Sequence, residues 1–192
     1  MERVTAYLGL GSNLGRREEN LKAAMDLLAE VSAKPDGHSP GASSQKAHAI
    51  KILRSSSLYE SAPWGLKDQP DFLNCVLEVD TQMPPAGLLE CAKAVEEILG
   101  RQPGLRFGPR LIDVDILLYG SAVVELPKLQ IPHPRMHLRA FAVIPLAELQ
   151  PDLVHPTLKL TVEQLAREVD GREGVKPWGP PPMVGKPGRV AP

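Results

Sequence analysis

The sequence predicts an α+β fold, and three observations carry that expectation. Apolar residues alternate with period two over 72–81, where Leu73, Cys75, Leu77 and Val79 line one face. Others recur at helical spacing, as Leu21, Met25, Leu28 and Val31 and again as Leu88, Cys91, Val95 and Ile98. The runs follow one another in the order β-α-β-β-α-β, the ferredoxin-like pattern, in which an antiparallel sheet carries its helices on one face. The other face is then left open for function.

Each element has its own local signal. Residues 4–10 form a short β-favouring run that ends at Gly11-Ser12-Asn13, where Ser12 or Asn13 is suited to cap the helix that follows. Residues 50–59 read as the second strand and 72–81 as the third. Pro84-Pro85 opens the second helix and Gly100 closes it at the C′ position. Residues 111–119 read as the fourth strand, with Ile112, Val114, Ile116 and Leu118 on one face and Asp113 and Asp115 on the other. Beyond Gly120 come a Pro-bounded loop at 132–134, a short apolar segment at 141–149 and a helix at 161–169. Pro35, Gly37, Pro40 and Gly41 mark 34–48 as a surface insertion, and the Pro- and Gly-rich stretch 171–192 reads as a flexible tail. A single domain over 1–170 is therefore expected.

Composition narrows the function. With 22 Lys plus Arg against 23 Asp plus Glu, the net charge of -1 gives no overall positive field to hold nucleic acid or an anionic membrane. Small molecules are the expected partners, any anion must be caught locally, and a monomer is expected. Cys75 and Cys91 are too few for a disulfide framework, and the first apolar run is interrupted by Gly9 and Gly11, which suits a cytoplasmic chain with neither a signal segment nor a membrane span. The glycines at 9, 11 and 15 fail the dinucleotide fingerprint, whose third glycine would stand where Leu14 does, and no phosphate-binding P-loop sequence exists.

The strongest chemical signal is Arg110-Leu-Ile-Asp113-Val-Asp115-Ile-Leu. Two carboxylates on one face of a hydrophobic strand are costly unless a cation lies between them, and their hard oxygens suit Mg²⁺. A polar strand face turned to water would carry the same pattern. The loop containing Arg101, Arg106 and Arg110 tips the balance, because guanidiniums beside a dicarboxylate fit a polyphosphate bridged through metal. Phe72 and Asn74 share the open face and could stack on and hydrogen-bond a heterocycle, or be a peripheral ring and a turn amide. His133, between two prolines, is either a rigid turn or a donor to phosphate.

Four blocks taken together resemble the 6-hydroxymethyl-7,8-dihydropterin pyrophosphokinase family: Gly9-Leu-Gly11-Ser12-Asn13-Leu14-Gly15, then YESAPWGLKDQPDFLN at 59–74, then Arg106-Phe-Gly-Pro-Arg110-Leu-Ile-Asp113-Val-Asp115, then Pro132-His133-Pro134-Arg135-Met136 with Arg139 and Phe141. The resemblance implies a folate-biosynthesis enzyme that moves the pyrophosphoryl group of ATP to the pterin hydroxymethyl and releases AMP. It implies two Mg²⁺ ions at Asp113 and Asp115, with ATP as co-substrate. It implies a pterin pocket of Ser61, Trp64, Phe72, Asn74 and Phe141, with the ring between Phe72 and Phe141. Glu96, Arg101, Arg110, Ile116, Gln130, His133 and Arg139 fall at its ATP positions, and Arg101, Arg106 and Arg110 at its catalytic ones. The chain departs from the family in a loop one residue shorter between Arg101 and Arg110, in Phe107 where Trp is common, and in Pro134 where an aromatic is common. The alternative from another class is a non-catalytic module binding a small ligand or RNA on its open sheet face.

Overall fold

The structure, a computed structural model, describes residues 2–31, 50–101 and 108–182. The expected insertion at 34–48, Arg106 with most of its loop, and residues 183–192 of the expected tail lie outside the described residues.

Strand β1 (Val4–Ser12) sits inside a six-stranded sheet. It pairs antiparallel with β5 (Asp113–Tyr119) on one side and with β4 (Phe72–Thr81) on the other. The far side of β4 takes both β2 (Lys51–Ser55) and β3 (Leu58–Ser61), and β8 (Val175–Gly179) pairs with β3. A separate hairpin joins β6 (Val124–Leu126) to β7 (Leu129–Ile131).

Helices α1 (Arg17–Val31) and α2 (Pro85–Ile98) set Leu21, Met25, Leu28, Leu88 and Val95 against Leu8, Leu77, Val79 and Val114, all buried. Full burial of one such side chain is worth about 1.5–3 kcal/mol, so this layer supplies much of the drive to fold. Pro85 occupies the first turn of α2, and Gly100 just past its end takes φ +85°, a conformation that favours glycine.

The expectation of helices on one face alone is corrected. Helices α3 (Ala140–Leu149) and α4 (Val162–Glu168) cover part of the second face, burying Val143, Leu146, Val162 and Leu165 with Tyr7, Val76, Leu117 and Leu118. The apolar segment expected at 141–149 is thus α3. It is apolar around most of its circumference, which hides the helical period. The helix expected at 161–169 is α4, started by a reciprocal capping box: Gln164 N donates to Thr161 Oγ1 at 3.2 Å and Thr161 N to Gln164 Oε1 at 2.8 Å.

Three further expectations change. The strand at 50–59 is two strands, because the ladder to β4 is broken between them, although Ser56 N still donates to Val76 O at 2.9 Å. Ser56 Oγ accepts from Val76 N at 2.9 Å and Ser57 N donates to Glu148 at 3.0 Å. Leu118 does not share a face with Ile116, because the register slips between Tyr7 and Leu8 and inserts Leu117, and a one-residue slip reverses every side chain beyond it. The expected tail at 171–192 begins inside the fold: Gly171 leads into a short 3-10 turn and then β8, whose Trp178 ring lies 4.8 Å from the Arg17 guanidinium.

Candidate active site

The site lies on the second face, beside the area that α3 and α4 cover. Its base is a row of paired positions: Asp113 opposite Gly11, Gly11 opposite Asn74, and next to it Asp115 opposite Gly9. The carboxylate of Asp113 and the carboxamide of Asn74 are thus two strands apart, or roughly 10 Å at about 4.8 Å per strand. Glycines between them leave the backbone bare. A Cβ at Gly11 would stand 3.1 Å from Asn74 Oδ1, and one at Gly9 would meet the Leu117 side chain at 3.4 Å. In sequence these glycines stand as a failed dinucleotide fingerprint and as part of the first resemblance block, and neither reading makes them the floor of a site. The signal available was their period-two spacing within a strand, which clears one face for a ligand.

Over this floor opens a cavity of about 340 Å³. Arg101, Arg110, Asp113, Asp115, His133 and Arg139 line one part of it, and Ser61, Trp64, Phe72, Asn74 and Phe141 line another. At the charged end Asp113 Oδ1 is 3.0 Å from Arg101 Nη1 and Asp113 Oδ2 is 2.9 Å from Arg110 Nη1. Burial works to raise the Asp113 pKa, but Arg110 and Arg101 outweigh it and hold the carboxyl below its ordinary value. Asp115 Oδ2 is 3.0 Å from Arg139 Nη1 and 3.8 Å from His133 Nε2. Burial lowers the His133 pKa despite the pull of Asp115, so the ring is held towards its neutral form, with Nδ1 accepting from Arg135 N at 3.2 Å.

At the other end Asn74 Nδ2 donates to Ser61 Oγ at 3.0 Å, which fixes the carboxamide plane beside Gly11. Arg139 joins the two ends. It is only 8% exposed, and its guanidinium lies 5.2 Å from the Trp64 ring and 5.6 Å from the Phe141 ring. Its Nε is buried without a hydrogen-bond partner among the described residues. A flat cation between aromatic faces, with an orphan donor, is suited to meet an anionic or π-bearing ligand.

The structure therefore brings together Ser61, Trp64, Phe72, Asn74, Arg101, Arg110, Asp113, Asp115, His133, Arg139 and Phe141. Three expected ATP positions lie elsewhere. Glu96, 2% exposed, holds Lys93 Nζ at 2.9 Å, pairs with Arg101, and accepts from Val114 N at 2.8 Å, so it orients Arg101 from behind. The Ile116 side chain belongs to the core beneath the sheet, and Gln130 on β7 lines a second cavity of about 200 Å³. Sequence reading missed Lys93, which lines the main cavity three residues before Glu96, and Arg135, whose guanidinium lies 5.4 Å from the Trp64 ring. Among the described residues no set of three or more His, Cys, Asp or Glu side chains could hold a metal ion unaided. None of their helices is long and apolar enough to cross a membrane.

Residues 7–151 match the 7,8-dihydro-6-hydroxymethylpterin-pyrophosphokinase (HPPK) family. The chain belongs to this family. Similar proteins named 2-amino-4-hydroxy-6-hydroxymethyldihydropteridine pyrophosphokinase include those of Methylorubrum extorquens, 42% identical over 78% of this chain and 84% of the relative, and Haemophilus influenzae, 36% identical over 87% and 94%. The HPPK chain segment also resembles solved structures in fold. An HPPK-DHPS protein in complex with substrates gives a TM-score of 0.65 at 14% identity, and Plasmodium falciparum HPPK-DHPS gives 0.63 at 17%. The chain covers 47% of each of those longer solved chains. With HPPK membership, the Asp113 and Asp115 face stands in a family context that its local pattern alone left open.

Proposed function

We propose that this chain transfers the pyrophosphoryl group of ATP to the hydroxymethyl of 6-hydroxymethyl-7,8-dihydropterin, releasing AMP, as a step of folate biosynthesis. The observation that carries the reading is one cavity with paired carboxylates and guanidiniums at one end and Phe72, Asn74, Trp64 and Phe141 at the other. We read the strand order β5-β1-β4 followed by β2 and β3 as ferredoxin-like, extended at its edge by β8. The chain acts as a monomer in the cytoplasm.

Asp113 and Asp115 fit Mg²⁺ in their chemistry: two adjacent hard carboxylates, short of a full ligand set, suit ions whose remaining ligands are phosphate oxygens and water. Two Mg²⁺ ions there would neutralise the polyphosphate and make its phosphorus more electrophilic. Arg101 and Arg110, with Arg106 from the loop outside the described residues, bind the triphosphate and oppose the charge that develops on the transferred group. Arg139 and His133 hold the nucleotide from the Asp115 side. Phe72 and Phe141 stack on the pterin while Asn74, fixed by Ser61, reads its donors and acceptors and Trp64 closes the pocket. The hydroxymethyl is thereby held in line with the β-phosphorus, and positioning with electrostatics supplies most of the rate.

The alternative, a ligand- or RNA-binding module using an open sheet face, is disfavoured because α3 and α4 cover part of that face and paired carboxylates line the rest. The deciding experiment supplies ATP, Mg²⁺ and the hydroxymethyl-dihydropterin and identifies the nucleotide product. AMP is expected; ADP means a different transfer, and no turnover favours the binding module.

A further inference from the structure

Residues 62–71 join β3 to β4 without a helix or strand, and most of them are exposed. Trp64 stands in this segment, 37% exposed, and Gly65 turns the chain beside it at φ +94°, a conformation that favours glycine. The indole belongs to neither core layer. It is met instead by two guanidiniums, Arg135 Cζ at 5.4 Å and Arg139 Cζ at 5.2 Å from the ring centre. Both lie within the ~6 Å reach of a cation–π contact.

The two cations are not equivalent. Arg139 is already shared, because its Nη1 meets Asp115 at 3.0 Å and its guanidinium also lies 5.6 Å from the Phe141 ring. Arg135 starts from a fixed main chain between β7 and α3. Its N donates to His133 Nδ1 at 3.2 Å, its O accepts from Leu138 N at 3.1 Å, and Met136 N closes the turn on His133 O at 3.0 Å. From there the half-buried Arg135 lines the same cavity as Trp64 and reaches the indole. A planar, weakly hydrated guanidinium stacks on an aromatic face in a way that a compact ammonium does not.

We propose that Arg135 is a positioning residue that clasps Trp64 over the pterin end of the cavity and so lengthens the stay of the bound pterin. The proposal rests on the pterin assignment made above. Trp64 comes from an exposed segment and Arg135 from a fixed turn, so the contact ties the first to the second, and the pterin end opens only when it breaks. Arg139 shares the clasp in the free chain, and Arg135 keeps it when a phosphate draws Arg139 away.

Two readouts on the full chain test this. With Trp178→Phe in place Trp64 is the single tryptophan, and acrylamide quenching of its fluorescence in the ligand-free protein reports how firmly the indole is held. Arg135→Ala is expected to raise the quenching constant by about twofold, as the loss of one of two ring contacts implies. Calorimetry with Mg²⁺ and α,β-methylene ATP present should show pterin Kd rising about two- to fivefold, the scale of one exposed cation–π contact, while Kd of the analogue titrated alone changes by less than about twofold. Stopped-flow release of pterin should quicken by the same factor as its Kd rises, and the pterin KM should rise by more than kcat falls. Arg135→Lys, which keeps the charge without the flat face, recovers only part of the loss. In Trp64→Leu, which leaves no ring to hold, Arg135→Ala adds nothing to the pterin Kd. Unchanged quenching, full recovery by Arg135→Lys, or an Arg135→Ala loss that persists at full size in Trp64→Leu overturns the clasp. A weaker analogue with pterin unaffected also overturns it, by making Arg135 a phosphate ligand. An unaltered chain that produces no AMP overturns the pterin assignment and the residence role with it, while quenching still reports whether Arg135 holds Trp64.

Discussion

Asp113 Oδ2 lies 2.9 Å from Arg110 Nη1, three residues earlier in the chain. The sequence pattern makes Asp113 and Asp115 adjacent like charges, costly to hold unless a cation lies between them. The structure offsets that cost for Asp113, whose other oxygen meets Arg101 at 3.0 Å, so its removal leaves two guanidiniums without their shared anion. Asp113→Ala is expected to lower activity by roughly 10²-fold or more, the scale of a misplaced reacting group, and to lower stability near neutral pH. The Asp113 pKa is lowered by folding, so its contribution is complete above the ordinary value of 3.8 and is lost as pH falls through the folded value. Melting curves of both proteins should therefore differ at neutral pH and converge in acid. Near-normal Mg²⁺-dependent turnover by the variant would reduce Asp113 to a surface acid.

Gly11→Ala tests the bare floor. The new methyl would stand 3.1 Å from Asn74 Oδ1 and 3.6 Å from Phe72 Cδ1, and Asn74 is tied to Ser61 at 3.0 Å, so the carboxamide must shift by a few tenths of an ångström. Misaligning one such hydrogen bond costs about 1–1.5 kcal/mol, or roughly tenfold in pterin Kd. Gly9→Ala, whose methyl meets only the apolar Leu117 side chain at 3.4 Å, should cost less. Pterin and nucleotide Kd values measured separately check this. An equal loss for both ligands would move Gly11 out of the pterin pocket.

The legible parts of this molecule were those with a single period. The β4 alternation, the α1 stripe of Leu21, Met25 and Leu28 and the α2 stripe of Leu88, Cys91 and Val95 were readable because one face of each element lies on the same core layer. Ile98, expected to continue the α2 stripe, is instead 59% exposed in the last turn. The α3 segment carried no period, since it packs Phe141, Val143, Ile144 and Leu146 in nearly every direction, and with it went the covering of the second face. The acidic and arginine parts of the site were readable as a charge pattern. The bonds of Asn13, whose Oδ1 accepts from Arg110 N at 2.8 Å instead of capping α1, and of Glu96 were not, because their partners come from positions 97 and 18 residues away, and a carboxamide or carboxylate in sequence does not reveal what it will hold.

His155 gives the fold a pH dependence outside the site. It is 3% exposed, and its Nδ1 accepts from Leu158 N at 3.2 Å and Thr157 N at 3.4 Å. Burial, helped by neighbouring His137, lowers its pKa below 6.5. A histidine whose pKa is lowered by folding stabilises fully above its unfolded value and loses that contribution as pH falls below it. Tm should therefore decline as pH falls below the ordinary value of 6.5, and His155→Asn, which keeps an acceptor but cannot titrate, should flatten the decline. An identical decline in the variant would assign the effect to other groups.

Residues 172–182 resemble a loose Pro-rich end in sequence, yet β8 pairs with β3 from Leu58 to Ser61, and Ser61 lies in the cavity, where it holds Asn74. Arg17 adds a second tie: it meets Glu60 of β3 at 2.8 Å and lies over Trp178 of β8, so the edge is fastened to the start of α1. Most of β8 is exposed, so its removal forfeits little buried apolar area, and the loss reaches the site through the looser β3 edge. Truncation after Gly171 is expected to cost about 1–2 kcal/mol, a fall of roughly 2–8 °C in Tm for a chain of this size. Pterin Kd should rise while nucleotide Kd holds, because Ser61 is near the strand that loses its neighbour and Asp113 is across the sheet. Trp178→Ala in the full chain, which removes the stack on Arg17 but leaves the backbone pairing, should give a smaller fall. If truncation leaves Tm unchanged, β8 adds nothing to the fold; if it weakens both ligands equally, the disturbance is global and Ser61 has no particular link to the β3 edge.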